Sequence, residues 1–182
     1  RDFKTSDFRC AHSIFAIASH KPIDVQMLAN TFRMYPLPSE YSNILSLDLE
    51  KPLKSVSTNQ DFFVSIKLEN LTDKVLKSRA PNPINLSYHW LASDGGMVQY
   101  DGLRTVLDTH LPAYGKALCA VQVKAPKKPG RYTLRVVPVQ EMVKWHENSA
   151  IDCQITVCDA NSSKNPSIKV GLRRPLFNSE KL

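Results

Sequence analysis

No Gly-x-Ser-x-Gly elbow, His-Glu-x-x-His pair, phosphate loop or dinucleotide fingerprint occurs anywhere in the 182 residues. The common hydrolase, zinc-peptidase and nucleotide-binding readings therefore have no pattern to stand on. Glycine is scarce at six residues, and no apolar run exceeds the length of 14–18, far too short to span a bilayer. The first residue is Arg1 and no secretory signal pattern precedes it, so the chain reads as a fragment of a longer protein. None of the four cysteines, Cys10, Cys119, Cys153 and Cys158, forms a Cys-x-x-Cys pair, and their spacing fits no zinc site. The five histidines are scattered singly. No catalytic residue, metal ligand or cofactor is assigned.

The net charge of +7 raises nucleic acid as a partner, but the basic residues are dispersed, with adjacent pairs only at Lys127-Lys128 and Arg173-Arg174. No recognition-helix pattern or RNA-binding aromatic pair accompanies them, so a solvated face is favoured and nucleic acid is excluded as the expected partner. Weak attraction to acidic glycans or anionic headgroups remains compatible with the charge. Alternation places Cys119 in phase with Val121 and Val123, and Cys153 in phase with Ile155 and Val157, as small core residues. Cys158 falls on the opposite face. Free thiols favour a reducing, cytoplasmic setting, with the inner face of the membrane as a further placement. Asn-x-Ser/Thr triplets at Asn70, Asn85 and Asn161 carry no functional weight here.

What the chain does have is period-two alternation. Residues 1–40 differ from the rest: 13–19 reads as a short buried strand, and Pro22 precedes a helical pattern carried by Val25, Leu28 and Phe32. This strand-helix segment is expected to be the end of a preceding α/β domain, closed by a linker or boundary at Pro36–Pro38. From Ile44 onward, strands are expected near 44–50, 62–68, 84–90, 97–100, 116–124, 131–139 and 151–157, with Asp94-Gly95-Gly96 and Pro129-Gly130 as turns. The expected fold is mainly β: an immunoglobulin-like antiparallel β-sandwich over 41–158, with the short α/β segment before it and an extended tail over 159–182. Trp90, inward on the third long strand, and Tyr132, spaced as a tyrosine corner, sharpen this expectation. Leu134 stands where antibody domains carry their second cysteine, so packing replaces the disulfide.

The candidate site lies in connecting segments. Asp101 and Arg104, three residues apart, suit either a loop-stiffening ion pair, which is favoured, or an acceptor and bidentate donor for sugar hydroxyls. Tyr100, Tyr114 and Trp145 are the aromatics hardest to place in the core, and such rings stack on sugar faces. Packing is slightly favoured for Trp145, with binding as the alternative. The carboxylate pairs are Asp94 with Asp101 and Glu141 with Glu147; Asp94 reads as a turn-maker. His89 is outward by phase, a solvent-facing or hydrogen-bonded structural histidine. The ligand-binding residues chosen are Tyr100, Asp101, Arg104 and Trp145.

Four motifs stand together in this chain: Ser87-Tyr88-His89-Trp90, Asp101-Gly102-Leu103-Arg104-Thr105, the run from Ala125 to Leu134, and Val139-Gln140-Glu141-Met142-Val143-Lys144-Trp145. In combination they resemble a non-catalytic β-sandwich module appended to glycosyltransferases and methyltransferases of bacterial polysaccharide biosynthesis. More distantly, the run is similar to the carbohydrate-binding domain of O-antigen ABC transporters. The resemblance implies a glycan or polysaccharide partner and an upstream catalytic domain. A purely structural, homodimer-forming sandwich, or the end of a glycan-directed transferase completed by 13–20, are the alternatives. Met142 departs from the family's glycine and His146 from its phenylalanine, which bears on specificity at that hairpin.

Overall fold

The structure is a computed structural model that describes residues 30–159 together with Pro22, Asp24 and Gln26. The strand expected at 13–19, the helical positions Val25 and Leu28, Cys10, Asn161 and most of the tail lie outside these residues. Of the expected helix, Gln26, Asn30 and Thr31 are helical.

Among the described residues ten strands form two sheets. The first is antiparallel, in the order β1 (Leu45–Leu49), β3 (Asp61–Asn70), β7 (Lys116–Lys124). The second runs β2 (Ser55–Ser57), β10 (Ile151–Cys158), β8 (Gly130–Gln140), β4 (Ile84–Ala92), β5 (Met97–Gln99). Two-residue strands β6 (Thr105–Val106) and β9 (Lys144–Trp145) pair with β4 and β8. All pairings are antiparallel except β2 on β10. In immunoglobulin terms, β1, β3 and β7 stand as A, B and E, facing β4, β8 and β10 as C, F and G. The first strand is split because Pro52, which cannot donate to a ladder, stands where the chain crosses from one sheet to the other.

Every strand expected from alternation is present; the three short strands β2, β6 and β9 were not. The turn after β4 is closed by Gly95 at φ +84, with Asp94 Oδ1 accepting from Gly96 N at 2.9 Å, so Asp94 is the turn-maker expected.

Between the sheets lie Val64, Ile66 and Leu68 from β3, Cys119, Val121 and Val123 from β7, and Leu86, Tyr88, Trp90, Leu134 and Ile155 from the other sheet, all buried. Trp90 is wholly buried and packs edge-on against Tyr132 at 6.0 Å between centroids. The Tyr132 hydroxyl donates to the Lys128 carbonyl at 3.0 Å, closing the tyrosine corner. Cys119 and Cys153 are buried in opposite sheets as free thiols, and burial pushes each up to about 11.

The stretch before residue 40 packs against the sandwich. Met34 and Leu37 are buried in the sandwich core. Gln140, itself buried, accepts from Leu37 N at 3.1 Å and donates to the Tyr35 carbonyl at 2.8 Å. Asn70 and Asn85 are also buried; the Asn70 side chain donates to the Lys74 and Pro112 carbonyls at 2.7 Å each. Neither triplet asparagine is presented to solvent.

Candidate functional site

The strand β4 is buried on both faces, which alternation alone does not suggest. Its inward row, Ile84, Leu86, Tyr88 and Trp90, fills the sandwich. Its outward row is Asn85, Ser87 and His89, and the register sets these beside Val139, Val137 and Arg135 of β8. Val137 and Val139 are buried yet stand apart from the main core, as a small second cluster on the outer face of the sheet. Two covers exclude water from it: the loop from Tyr100 to Arg104, and the hairpin that leaves β8 at Gln140 and returns as β9.

His89 is the centre of this outer cluster. It is 1% exposed, so the solvent-facing alternative is excluded and it is a hydrogen-bonded structural residue. Its ring stacks on Tyr100 at 4.6 Å, nearly parallel, and meets Trp145 at 4.6 Å on a tilt. Nδ1 donates to the Tyr100 carbonyl, and Nε2 faces Glu147 Oε1 at 3.1 Å. Both ring nitrogens therefore face acceptors, a main-chain carbonyl on one side and a carboxylate on the other. Glu147 also faces Arg135 at 4.0 Å. Arg135 in turn binds Asp152 through two hydrogen bonds of 2.7 and 2.8 Å, a bidentate pair that holds the Asp152 carboxyl below its usual range.

The four residues selected from sequence are brought together above His89. Arg104 lies over the Trp145 ring, its guanidinium carbon 4.9 Å from the centroid. Tyr100 meets Trp145 edge-on at 5.3 Å. Arg104 donates to Asp101, to Glu141 Oε1 at 2.6 Å, to Ser87 Oγ at 3.0 Å and to the Gly102 carbonyl at 3.0 Å. Burial works against its charge, but the hydrogen bonds it donates to Asp101 and Glu141 outweigh that and raise its pKa. Asp101 and Arg104 thus form the loop-stiffening ion pair. Tyr114 lies apart, beside Thr72.

Other participants are not among the four chosen residues. Glu141 and Glu147 were recognised only as a carboxylate pair, and Arg135 not at all. In the fold Glu141 joins Arg104 to Asn85, at 3.0 Å, while Glu147 and Arg135 serve His89. Tyr100 remains 51% exposed, and Trp145 is partly exposed. The surface therefore carries two partly exposed aromatic side chains beside fixed donors and acceptors. Among the described residues no group of three His, Cys, Asp or Glu side chains is placed to hold a metal ion.

A second concavity of about 720 Å³ opens on the other side of the 99–103 segment, lined on its far wall by 124–128. Gly102 forms part of its floor and lies flat on the Tyr88 ring; a Cβ there would stand 2.7 Å from ring carbons. Only glycine permits this approach.

No protein-family model and no curated protein matches the chain. Among solved structures, a β-glucosidase from Listeria innocua aligns at 12% identity and TM-score 0.42, over 63% of this chain and 16% of that one. The CARDB domain of the PF1109 protein from Pyrococcus furiosus aligns at 14% identity and TM-score 0.39, over 63% and 93%. A family 123 glycoside hydrolase from Clostridium perfringens aligns at 11% identity and TM-score 0.38, over 63% of this chain and only 27% of the hydrolase. Likenesses at this level assign neither ligand nor activity to the chain. The architecture itself, two sheets packed face to face with almost no helix among the described residues, is that of a β-sandwich.

Proposed function

We propose that the chain is a non-catalytic carbohydrate-binding or substrate-positioning module of a cell-envelope polysaccharide biosynthesis protein. The observation that carries this reading is the convergence of Tyr100 and Trp145 with the Asp101–Arg104–Glu141 group on one outer sheet face. Sugar rings present apolar faces flanked by hydroxyls, and such a surface matches both, with rings to stack on and preset donors and acceptors beside them. The side chains are already held by His89 and Ser87, so little ordering opposes binding. The motif resemblance points the same way and adds an upstream catalytic domain at the cytoplasmic side of a membrane. Among the described residues no helix is long and apolar enough to cross that membrane.

A shallow surface of this kind binds weakly, with a Kd of about millimolar to micromolar, or roughly 4 to 8 kcal/mol. The test is a chemical-shift titration of the full chain with neutral oligosaccharides, maltotetraose and cellotetraose. The expected result is movement at Tyr100, Arg104 and Trp145, lost in Trp145→Ala and in Tyr100→Ala. Tyr100→Ala is the safer variant for folding because the ring is half exposed; retained near-ultraviolet dichroism confirms the fold.

One observation favours a second reading, a structural sandwich that dimerises. The strand β5 is a sheet edge carrying exposed Met97 and Val98, with Tyr100 following. No shift at millimolar sugar, together with a stable dimer that Val98→Lys dissociates, establishes this reading instead.

A further inference from the structure

We infer that the concavity between residues 98–103 and 124–128 takes the charged groups of an acidic saccharide, a sugar chain bearing carboxylates. This rests on the carbohydrate reading above and narrows its ligand class. The cavity, about 720 Å³, is the size of a site for a few sugar rings. Its walls are mainly apolar, supplied by Val98, Leu103, Ala125 and Tyr132, so a ring face can rest there. Its rim carries Lys124, Lys127 and Lys128, all exposed.

The electrostatics of that rim are one-sided. None of the three lysines forms an ion pair with a carboxylate among the described residues. The single carboxylate lining the cavity, Asp101, is bound by Arg104 on the opposite side of its loop. An entering anion therefore meets three ammonium groups without an ion-pair partner among the described residues, Lys124 standing across the sheet from Asp61, and one carboxylate already engaged by Arg104. Apolar walls beside them strengthen the attraction by displacing water.

The main chain that carries the lysines is also held in place by the hallmarks of the fold. Lys124 N donates to the Tyr88 hydroxyl at 3.0 Å, and the Lys124 carbonyl accepts from Trp90 Nε1 at 2.9 Å. Ala125 N donates to the Gln60 carbonyl at 2.8 Å, and Asn59 N to the Pro126 carbonyl at 3.1 Å. The Tyr132 hydroxyl fixes the Lys128 carbonyl at 3.0 Å. Prolines 126 and 129 remove further freedom. The buried tryptophan and the tyrosine corner thus grip the backbone of one short segment from which the three lysine side chains extend. Ligand binding need not order that loop, which is the condition for useful affinity from a small charged surface.

The test is a titration of the full chain, followed by amide shifts, with tetragalacturonate, neutral maltotetraose and poly-L-glutamate. Tetragalacturonate is expected to shift residues 98–103 and 124–128 and to bind about tenfold or more tightly than the neutral sugar, with affinity falling as NaCl rises from about 50 to 500 mM. The triple variant Lys124→Gln, Lys127→Gln, Lys128→Gln, confined to exposed side chains, is expected to abolish that advantage and leave the neutral-sugar response at Trp145 unchanged. Tetragalacturonate no tighter than a neutral sugar that does bind at Trp145 overturns this inference and leaves the carbohydrate reading standing. An unaffected triple variant overturns it too. Poly-L-glutamate binding as tightly as the acidic sugar overturns it in favour of a bare charge patch. No response to any saccharide overturns both.

Discussion

Mutating His146 to methionine should remove a specific share of the protein's acid sensitivity. His146 is 2% exposed, and neither ring nitrogen has a hydrogen-bond partner. Burial, aided by the charge of Lys144, pushes its pKa down from 6.5 to about 4. The ring is therefore neutral in the folded protein at pH 5, whereas it is protonated in the unfolded chain. A depressed folded pKa contributes stability that is complete above about 6.5 and is lost as pH falls through the window from 6.5 to 4. With these two values, lowering the pH from 7.5 to 5.0 favours the unfolded chain about 30-fold, or about 2 kcal/mol. Methionine keeps an apolar side chain of similar reach and cannot titrate. Since no hydrogen bond is lost, it should change stability at pH 7.5 by no more than about 1 kcal/mol. The assay is urea unfolding followed by far-ultraviolet circular dichroism, at both pH values, for the wild type and for His146→Met. Other titrating groups, among them His110 and the Arg135–Asp152 pair, act equally in both proteins and cancel in the difference. The wild type should lose about 2 kcal/mol more than the variant. Equal losses, or a directly measured His146 pKa near 6.5, would refute the reasoning.

Three further outcomes follow from single contacts. Gly102→Ala drives a methyl into the Tyr88 ring, which is wholly buried and tied to Lys124 N, so unfolding free energy should fall by about 1 to 3 kcal/mol in urea titration. Met142→Gly should raise stability by about 1 kcal/mol, because Met142 sits at φ +61 with its side chain 94% exposed and loses no packing; an unchanged or lowered melting temperature counts against the assigned backbone. Thiol labelling at pH 8, read by mass spectrometry, should modify exposed Cys158 in the native protein, and Cys119 and Cys153 only after unfolding, since burial raises both thiols to about 11.

The alternation of β3, β4, β7, β8 and β10 determined the fold class and the inward face of each long strand, because a side-chain period of two leaves no other way to bury one set of residues. Trp90 and Tyr132 were legible for the same reason: each has one position, relative to its strand and the preceding turn, at which the sandwich can use it. Alternation does not say what covers the opposite face. His89 is outward by phase, yet it is buried because the loop that starts at Tyr100 and the hairpin that ends in Trp145 close over it. The same closure unites Asp101 and Arg104 with Glu141 and Trp145, and it selects Glu147 and Arg135 as partners that no local spacing marks. The short strands β2, β6 and β9 exist only through pairing with a neighbour, since two or three residues carry no periodic signal of their own. Local sequence set which residues face in, and the packing of distant segments decided which outward residues meet, because contacts between segments far apart in the chain are made by the fold and not by periodicity.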